Sequence, residues 1–481
     1  MEVVSRRDFI KGTIAAGAAL AMPFSRARGA GNDIRVGIVG FRGKGKQHIG
    51  MFREIEGVRV VALCDVDSEV LAREMAKFDA SEKVAAYTDV RKLMEDKNID
   101  AVVTATPNHW HALITIMACQ AGKDVYVEKP ASHSVWEGRK MIEAANKYGR
   151  IVQTGTQNRS DVGLREAVDY IQQGNLGRIL WVHGLWYKRR PSIGLAGGPQ
   201  KVPSNIDYDL WTGPAPLGPL RRKQLHYDWH WFWSTGNGDM ANLGVHQIDD
   251  CRWIVGQDKL PDRIISLGGR FGYVDDAETA NTQLTIYDYK PAPIILEIRG
   301  LPMKKGLRAM DAYRGIRSGN IVQCENGYFA GGRGGGWAYD NSGKKIKQFK
   351  GDGGKGHQAN FIEAVRSRKV SHLRADIVQG HLSAALCHMA NISYRLGSQS
   401  SPDKVRQAIQ HNKEALETFD RIDAHLGANE VDLAKMPIVL GPWLNVDTKK
   451  EEFVGDFPAK WANRLLKRAN YRKPFVIGEH I

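Results

Sequence analysis

Between Ile34 and Asp65 the chain reads as a buried strand, a glycine turn, a helix and a second strand ending in an acid, an order few folds accept. Ile34-Arg35-Val36-Gly37-Ile38-Val39-Gly40 is a short apolar run of the kind that fills the interior of a parallel sheet. Phe41-Arg42-Gly43-Lys44-Gly45 turns the chain into a helix through Phe52, and Val58 to Cys64 forms the next strand. A glycine turn that opens a helix presents unpaired N–H groups and the positive helix end to a pyrophosphate. An acid about 20 to 25 residues further on accepts hydrogen bonds from the adenosine ribose and repels a 2′-phosphate. Asp65 fills that position and favours NAD. The turn departs from G-x-G-x-x-G: Arg42 stands where the second glycine belongs, and Gly40, Gly43 and Gly45 carry it instead. The Arg42 guanidinium keeps NADP open as the alternative.

Helices over 68–77, 90–96 and 111–121 alternate with strands over 101–104 and 125–127, which predicts repeated crossovers and a doubly wound parallel sheet. Thr106-Pro107-Asn108-His109-Trp110-His111 and Glu128-Lys129-Pro130 follow two of these strands, where ligands bind in such sheets. From Ile151 the period changes. Strands over 151–157, 179–186, 263–267, 282–287 and 294–299, with a helix over 164–173, predict an open, mainly antiparallel sheet with helices on one face. Glycines 331–336 are expected to form flexible hairpins. The fold class is α/β: an N-terminal Rossmann domain over 31–150 and a C-terminal α+β domain over 151–440 for substrate binding and oligomerisation. The segment 441–481 is an extension with too few apolar residues for its own core, expected to wrap a neighbouring surface.

Ahead of the first strand, Ser5-Arg6-Arg7-Asp8-Phe9-Ile10-Lys11 precedes an apolar run from Gly12 to Phe24 that is too short to span a bilayer. Ser25-Arg26-Ala27 supplies small residues for cleavage. Residues 1–30 therefore read as a twin-arginine signal and linker, with a frayed basic terminus as the alternative; no Cys follows the run, which excludes a lipoprotein. That export machinery carries folded proteins, and no free nicotinamide pool is expected outside the cytoplasm. A periplasmic enzyme would leave with its cofactor loaded. The five cysteines are odd in number and widely spaced, and read as buried thiols. The net charge of +15 is diffuse, without zinc-finger spacing or a basic helix, so nucleic acid is not an expected partner. No later stretch is long and apolar enough for a membrane span.

The Rossmann start, Thr106-Pro107-Asn108-His109-x-His111 and Gly122-Lys123-Asp124-Val125-Tyr126-Val127-Glu128-Lys129-Pro130 together resemble the Gfo/Idh/MocA oxidoreductases. The resemblance runs from about Ile34 to Leu396, through Asp209-Leu210-Trp211-x-Gly213-Pro214-Ala215-Pro216 and Ala375-Asp376-Ile377. It implies that Lys129 is catalytic, beside the nicotinamide and the substrate, with a cis bond before Pro130. It also implies cofactor contacts from Gly40, Arg42, Gly43, Gly45, Asp65, Thr106, Asn108, His111, Glu128, Lys129 and Gln157. The family's helical Asp-x-x-x-His pair is matched by Asn242 and His246, so an amide replaces the acid. His246 must then rely on Lys129, Asp239 or Asp249; a core histidine is the alternative, and Asn242 is a candidate substrate contact. Trp229-His230-Trp231-Phe232-Trp233 suits either stacking on a pyranose or core packing. His226, Asp228 and His230 lack metal-ligand spacing, so no metal is expected.

The reading is an exported NAD(P)-dependent oxidoreductase acting on a sugar, polyol or glycoside, with tightly bound, recycled cofactor, and a homo-oligomer. Two alternatives stand beside it: a redox-neutral NAD-dependent glycoside hydrolase working by oxidation and elimination, and a non-catalytic sugar-binding relative.

Overall fold

Val36 and Ile38 are fully buried, and Ile34 and Val39 nearly so, because strand β1 (Ile34–Val39) lies in the middle of a six-stranded parallel sheet. The computed structural model describes residues 33–481, so the signal segment lies outside the described residues. β1 pairs with β2 (Val58–Cys64) on one side and β4 (Ala101–Thr104) on the other. With β3 (Ala85–Tyr87), β5 (Asp124–Val127) and β6 (Val152–Thr154), the order is β3-β2-β1-β4-β5-β6. The winding reverses between β1 and β4, and the ends of β1, β4 and β5 border the crevice this creates.

Two boundaries differ from the sequence reading by three residues, and the others by no more than two. The helix expected over 111–121 spans Asn108–Gln120, because Pro107, at a φ of −58°, stands immediately before it and admits helix at once. The strand expected over 151–157 stops at Thr154, which pairs with Val127, the last residue of β5. With no further strand to pair, Gln157–Ser160 turns as a 3-10 helix toward the second domain.

The second sheet has twelve strands among the described residues. Its long strands are β7 (Ile179–Tyr187), β8 (Arg263–Gly269), β9 (Thr282–Tyr287), β10 (Ile294–Arg299), β11 (Ser318–Cys324), β12 (Gly327–Gly332), β13 (Gly335–Tyr339) and β14 (Lys345–Lys350). β7 and β10 are parallel, and the other pairs are antiparallel. Helices Val162–Gln172, Gly244–Val255 and Ile377–Arg395 bury Leu164, Ile248 and Leu386 against Ile264, Ile294 and Leu296. The expectation of helices on one face fails at the β8–β10 end. There Ile265, Leu284, Ile286 and Ile295 point the other way and are buried by Val405, Phe419 and Ile422 of two further helices, Pro402–Ile409 and Lys413–Ala428.

The stretch 331–336 forms the expected hairpin, but most of it lies within the strands and not between them. Arg333 and Gly334 alone form the tip between β12 and β13, and the other glycines sit in the ladder. A Cβ on Gly335 would lie 1.9 Å from the Phe349 carbonyl oxygen, and one on Gly336 2.5 Å from that of Ala330. The glycines permit close strand approach, and β12, β13 and β14 are held together by it.

The C-terminal extension packs on its own chain. Phe453 and Leu466 join the core of the second domain, while Phe475 and Ile477 join that of the nucleotide domain beside Trp110. All five cysteines are buried and free.

Candidate active site

The glycine turn after β1 is built by close approach. Gly40 has a φ of 73°, and a Cβ on Gly45 would stand 2.1 Å from the Gly40 carbonyl oxygen. Only glycine lets the helix Lys44–Arg53 begin so near the strand end. A Cβ on Gly43 would meet nothing within 4 Å, so the approach to the helix N-terminus is open. Asp65 follows β2 and accepts from the backbone N–H of Phe41 at 3.0 Å and of Asp67 at 3.1 Å. Burial raises its pKa to about 6, against the lowering effect of those two bonds.

At the other end, Glu128 and Lys129 follow β5, and the Lys129–Pro130 bond is cis. Glu128 accepts from Gln157 Nε2 at 3.1 Å and pairs with His48 Nε2 at 2.9 Å. Burial pushes the Glu128 pKa up, but His48 and Lys129 outweigh it and hold the carboxyl well below its usual range. Lys129 Nζ donates to the Asn242 carbonyl oxygen and, at 3.4 Å, to Asn242 Oδ1. Burial lowers the Lys129 pKa, opposed by Glu128 and Asp239.

Asn242 and His246 do not share one helix turn. Asn242 ends the short helix Gly238–Asn242, Leu243 breaks the spiral at φ −128° and ψ −30°, and His246 lies in the first turn of Gly244–Val255. The break directs the Asn242 carbonyl to Lys129 instead of into a helical bond. Burial and then the Lys129 charge lower the His246 pKa to about 3, and its Nδ1 is buried with no hydrogen-bond partner. Asp239 and Asp249, the acids expected to tune it, are each chelated by an arginine. Arg190 grips Asp239 at 2.7 and 2.6 Å, and Arg159 grips Asp249 at 2.8 and 2.9 Å.

One cavity of about 540 Å³ joins the two ends. Gly40, Arg42, Gly43, Asp65, Thr106, Asn108, His111, Glu128, Lys129, Gln157, Asn242 and His246 all line it; Gly45 acts from behind the turn. His111 has both ring nitrogens against backbone carbonyls, Pro130 at 2.7 Å and Thr106 at 2.8 Å, so it ties the two loops together and has no free donor. Asn108 Nδ2 donates to Asn237 Oδ1 at 3.0 Å, across to the second domain.

The aromatic run divides. Trp229 and His230 stack at 3.7 Å and line the cavity, whereas Trp231 is buried beneath Arg190. His226 pairs with Asp67 at 2.9 Å, Asp228 accepts from Gln224 N, and His230 Nδ1 donates to Tyr227 O at 2.6 Å. These three take separate partners. Among the described residues no group of three or more His, Cys, Asp or Glu side chains is placed to hold a metal ion. In the basic stretch Lys188-Arg189-Arg190, Arg190 is spent on Asp239, and in Arg221-Arg222-Lys223, Arg222 lies over the Trp211 ring at 4.4 Å. Sequence reasoning missed His48, Tyr227 and Arg333. A polar residue inside the apolar face of the first helix was the available sign for His48; nothing local marked the other two.

A parallel sheet with a glycine turn, an acid after β2 and a lysine after β5, facing a second sheet domain, defines a dinucleotide-binding oxidoreductase architecture. Residues 34–156 match the Gfo/Idh/MocA oxidoreductase family's NAD-binding Rossmann fold, and 184–297 match its C-terminal alpha/beta domain. Residues 3–23 match the twin-arginine translocation pathway signal sequence. The chain belongs to the Gfo/Idh/MocA family. It is 34% identical over 157 residues to an inositol 2-dehydrogenase of Salmonella typhimurium, covering 32% of this chain and 46% of that protein. It is 29% identical over 170 residues to a glycosyl hydrolase family 109 protein of Solibacter usitatus, covering 31% and 38%. The chain thus spans less than half the length of these two curated relatives. The fold is shared with the WlbA dehydrogenase of Bordetella pertussis, solved with NADH and UDP-GlcNAcA: TM-score 0.55, 21% identity, 74% of this chain and 94% of that one.

Proposed function

We propose that this protein is an exported, periplasmic oxidoreductase that oxidises a CH–OH group of a sugar, polyol or glycoside with NAD held in its cavity. The nucleotide stays bound between turnovers and is recycled in place by a second substrate. The observation that carries the reading is the single cavity running from the glycine turn and Asp65 to Lys129, Asn242 and His246. The residues present fit a dinucleotide: the Gly43 approach is open, Asp65 is available to ribose hydroxyls, and His246 Nδ1 waits for a partner. Asp65 favours NAD; Arg42 on the same wall leaves NADP as the alternative.

When bound, a nicotinamide ring accepts hydride from a carbinol carbon and returns it to a carbonyl carbon. The chain's part is positioning and proton transfer. Lys129 Nζ, oriented by Asn242, hydrogen-bonds the reacting hydroxyl and, with its lowered pKa, takes the proton as the carbonyl forms. His246, neutral at pH 7, gives the hydroxyl a second contact. Asn242 is an amide and moves no proton; it is a positioning residue for Lys129. Trp229 and His230 offer a stacked face to a sugar ring. The inositol 2-dehydrogenase likeness supports a polyol or sugar as substrate, and a homo-oligomer completes the proposal.

The test is incubation of the mature protein with paired alcohols and carbonyl acceptors and no added nucleotide. Coupled oxidation and reduction that is lost in Lys129→Met supports the reading. Aglycone release from a glycoside without net oxidation would instead favour the hydrolase, to which the family 109 likeness points. Undiminished turnover in the variant would refute the role of Lys129.

A further inference from the structure

The catalytic end of the cavity holds one guanidinium that hydride transfer does not need. Arg333, at the tip of the β12–β13 hairpin, lines the same cavity as Lys129, Asn242 and His246. Its Nε donates to the Gly353 carbonyl oxygen at 2.9 Å, which orients the group. Among the described residues it forms no ion pair, and its two terminal nitrogens have no protein acceptor.

The other charges near this end are already matched. Arg190 and Arg159 are spent on Asp239 and Asp249. Glu128 is taken by His48, Gln157 and the Lys129 N–H. Arg333 therefore faces the space a substrate would fill beside Lys129, with no free carboxylate next to it. The hairpin also delivers Arg333 at a fixed place. Gly334 N donates to Asp161 Oδ2 at 3.0 Å, Gly351 N to the Gly334 carbonyl oxygen at 3.0 Å, and the glycine ladder leaves no room for the strands to slide. Arg333 is exposed, its Nε bond to Gly353 sets the direction of the guanidinium, and its two terminal nitrogens match the two oxygens of a carboxylate.

We infer that the substrate is a sugar acid, whose carboxylate is received by Arg333 while its reacting hydroxyl lies at Lys129. This rests on the oxidoreductase reading, which places the reacting carbon beside Lys129. The class is a uronate or aldonate, and Arg333 is a specificity-determining residue.

The test is equilibrium binding, by calorimetry, of galacturonate, glucuronate and gluconate against galactose and glucose. It uses the protein as purified and its Arg333→Gln and Arg333→Lys variants. At least one acid should bind roughly tenfold or more tightly than its neutral parent, the worth of a charge-assisted pair. Arg333→Gln should remove that preference and leave neutral-sugar binding unchanged, and Arg333→Lys should restore part of it. If no acid outbinds its neutral parent, or if Arg333→Gln weakens acids and neutral sugars alike, the inference is overturned. Nicotinamide absorbance read in parallel separates the two claims. Neutral sugars oxidised without acid preference sink the sugar-acid assignment alone, whereas acid-selective binding with no bound or bindable nucleotide sinks the redox reading alone.

Discussion

Gly45→Ala puts the nucleotide cradle under the most direct stress. The new methyl carbon would lie 2.1 Å from the Gly40 carbonyl oxygen, a backbone atom that cannot swing aside. Ordinary contact begins at 3.4 Å, so helix start and strand end must part by more than about 1 Å. N–H groups that reach a pyrophosphate at hydrogen-bond distance cannot keep two partners through such a shift. Each charge-assisted bond is worth about 1.5–3 kcal/mol, so losing two costs at least about 3 kcal/mol, or roughly a hundredfold in affinity. Gly50 supplies the control on the same helix, since a Cβ there meets nothing within 4 Å. Gly50→Ala should bind nucleotide normally and be about 0.5–1 kcal/mol more stable, because alanine has less chain entropy to lose. NAD titration calorimetry with thermal unfolding of both variants checks the pair. Wild-type affinity in Gly45→Ala would refute the cradle argument.

Replacing Lys129 by Met should lower kcat by roughly 10²- to 10⁴-fold while nucleotide stays bound; loss of nucleotide with activity would make Lys129 a binding residue only. Asp65, raised to about 6 by burial, protonates within the working range. A protonated carboxyl is a poorer acceptor, so NAD affinity should fall as pH drops through about 6, and Asp65→Asn should flatten that dependence; a flat wild-type profile from pH 5 to 8 would contradict it. The sign for stability is opposite. Because the folded pKa lies above the usual 3.8, the nucleotide-free fold binds the extra proton and this contribution declines as pH rises from about 4 to 6. Arg159→Met leaves buried Asp249 with Ser383 as its close donor and the Arg252 guanidinium at 3.6 Å, and should cost about 3 kcal/mol, the low end for breaking a buried pair, in denaturant unfolding; a loss below about 1 kcal/mol would show that the site relaxes.

Local pattern made much of the fold legible. Strands at Ala101–Thr104, Thr282–Tyr287 and Ile294–Arg299 follow the apolar runs residue for residue, because central strands are buried on both faces. The places of Asp65 and Lys129 on the cavity wall were legible for a related reason, since both follow parallel strands whose ends border the crevice, while the role of Lys129 came from the family resemblance. What stayed hidden depends on contacts distant in sequence. His48 gains its meaning from Glu128, 80 residues away. The asparagine at 242 read as a lost acid, yet its backbone carbonyl, freed by the break at Leu243, holds Lys129. The glycines of 331–336 read as flexibility, although they are the condition for three strands to close up and hold Arg333 at the cavity.

The central claim is that this chain carries its own nicotinamide nucleotide. The direct measurement is to purify the mature protein without added cofactor, denature it and identify what is released. The account predicts close to one NAD(H) per chain, with NADP(H) in its place only if Arg42 prevails over Asp65. A protein that releases no nucleotide, and binds neither at millimolar concentration, would contradict it.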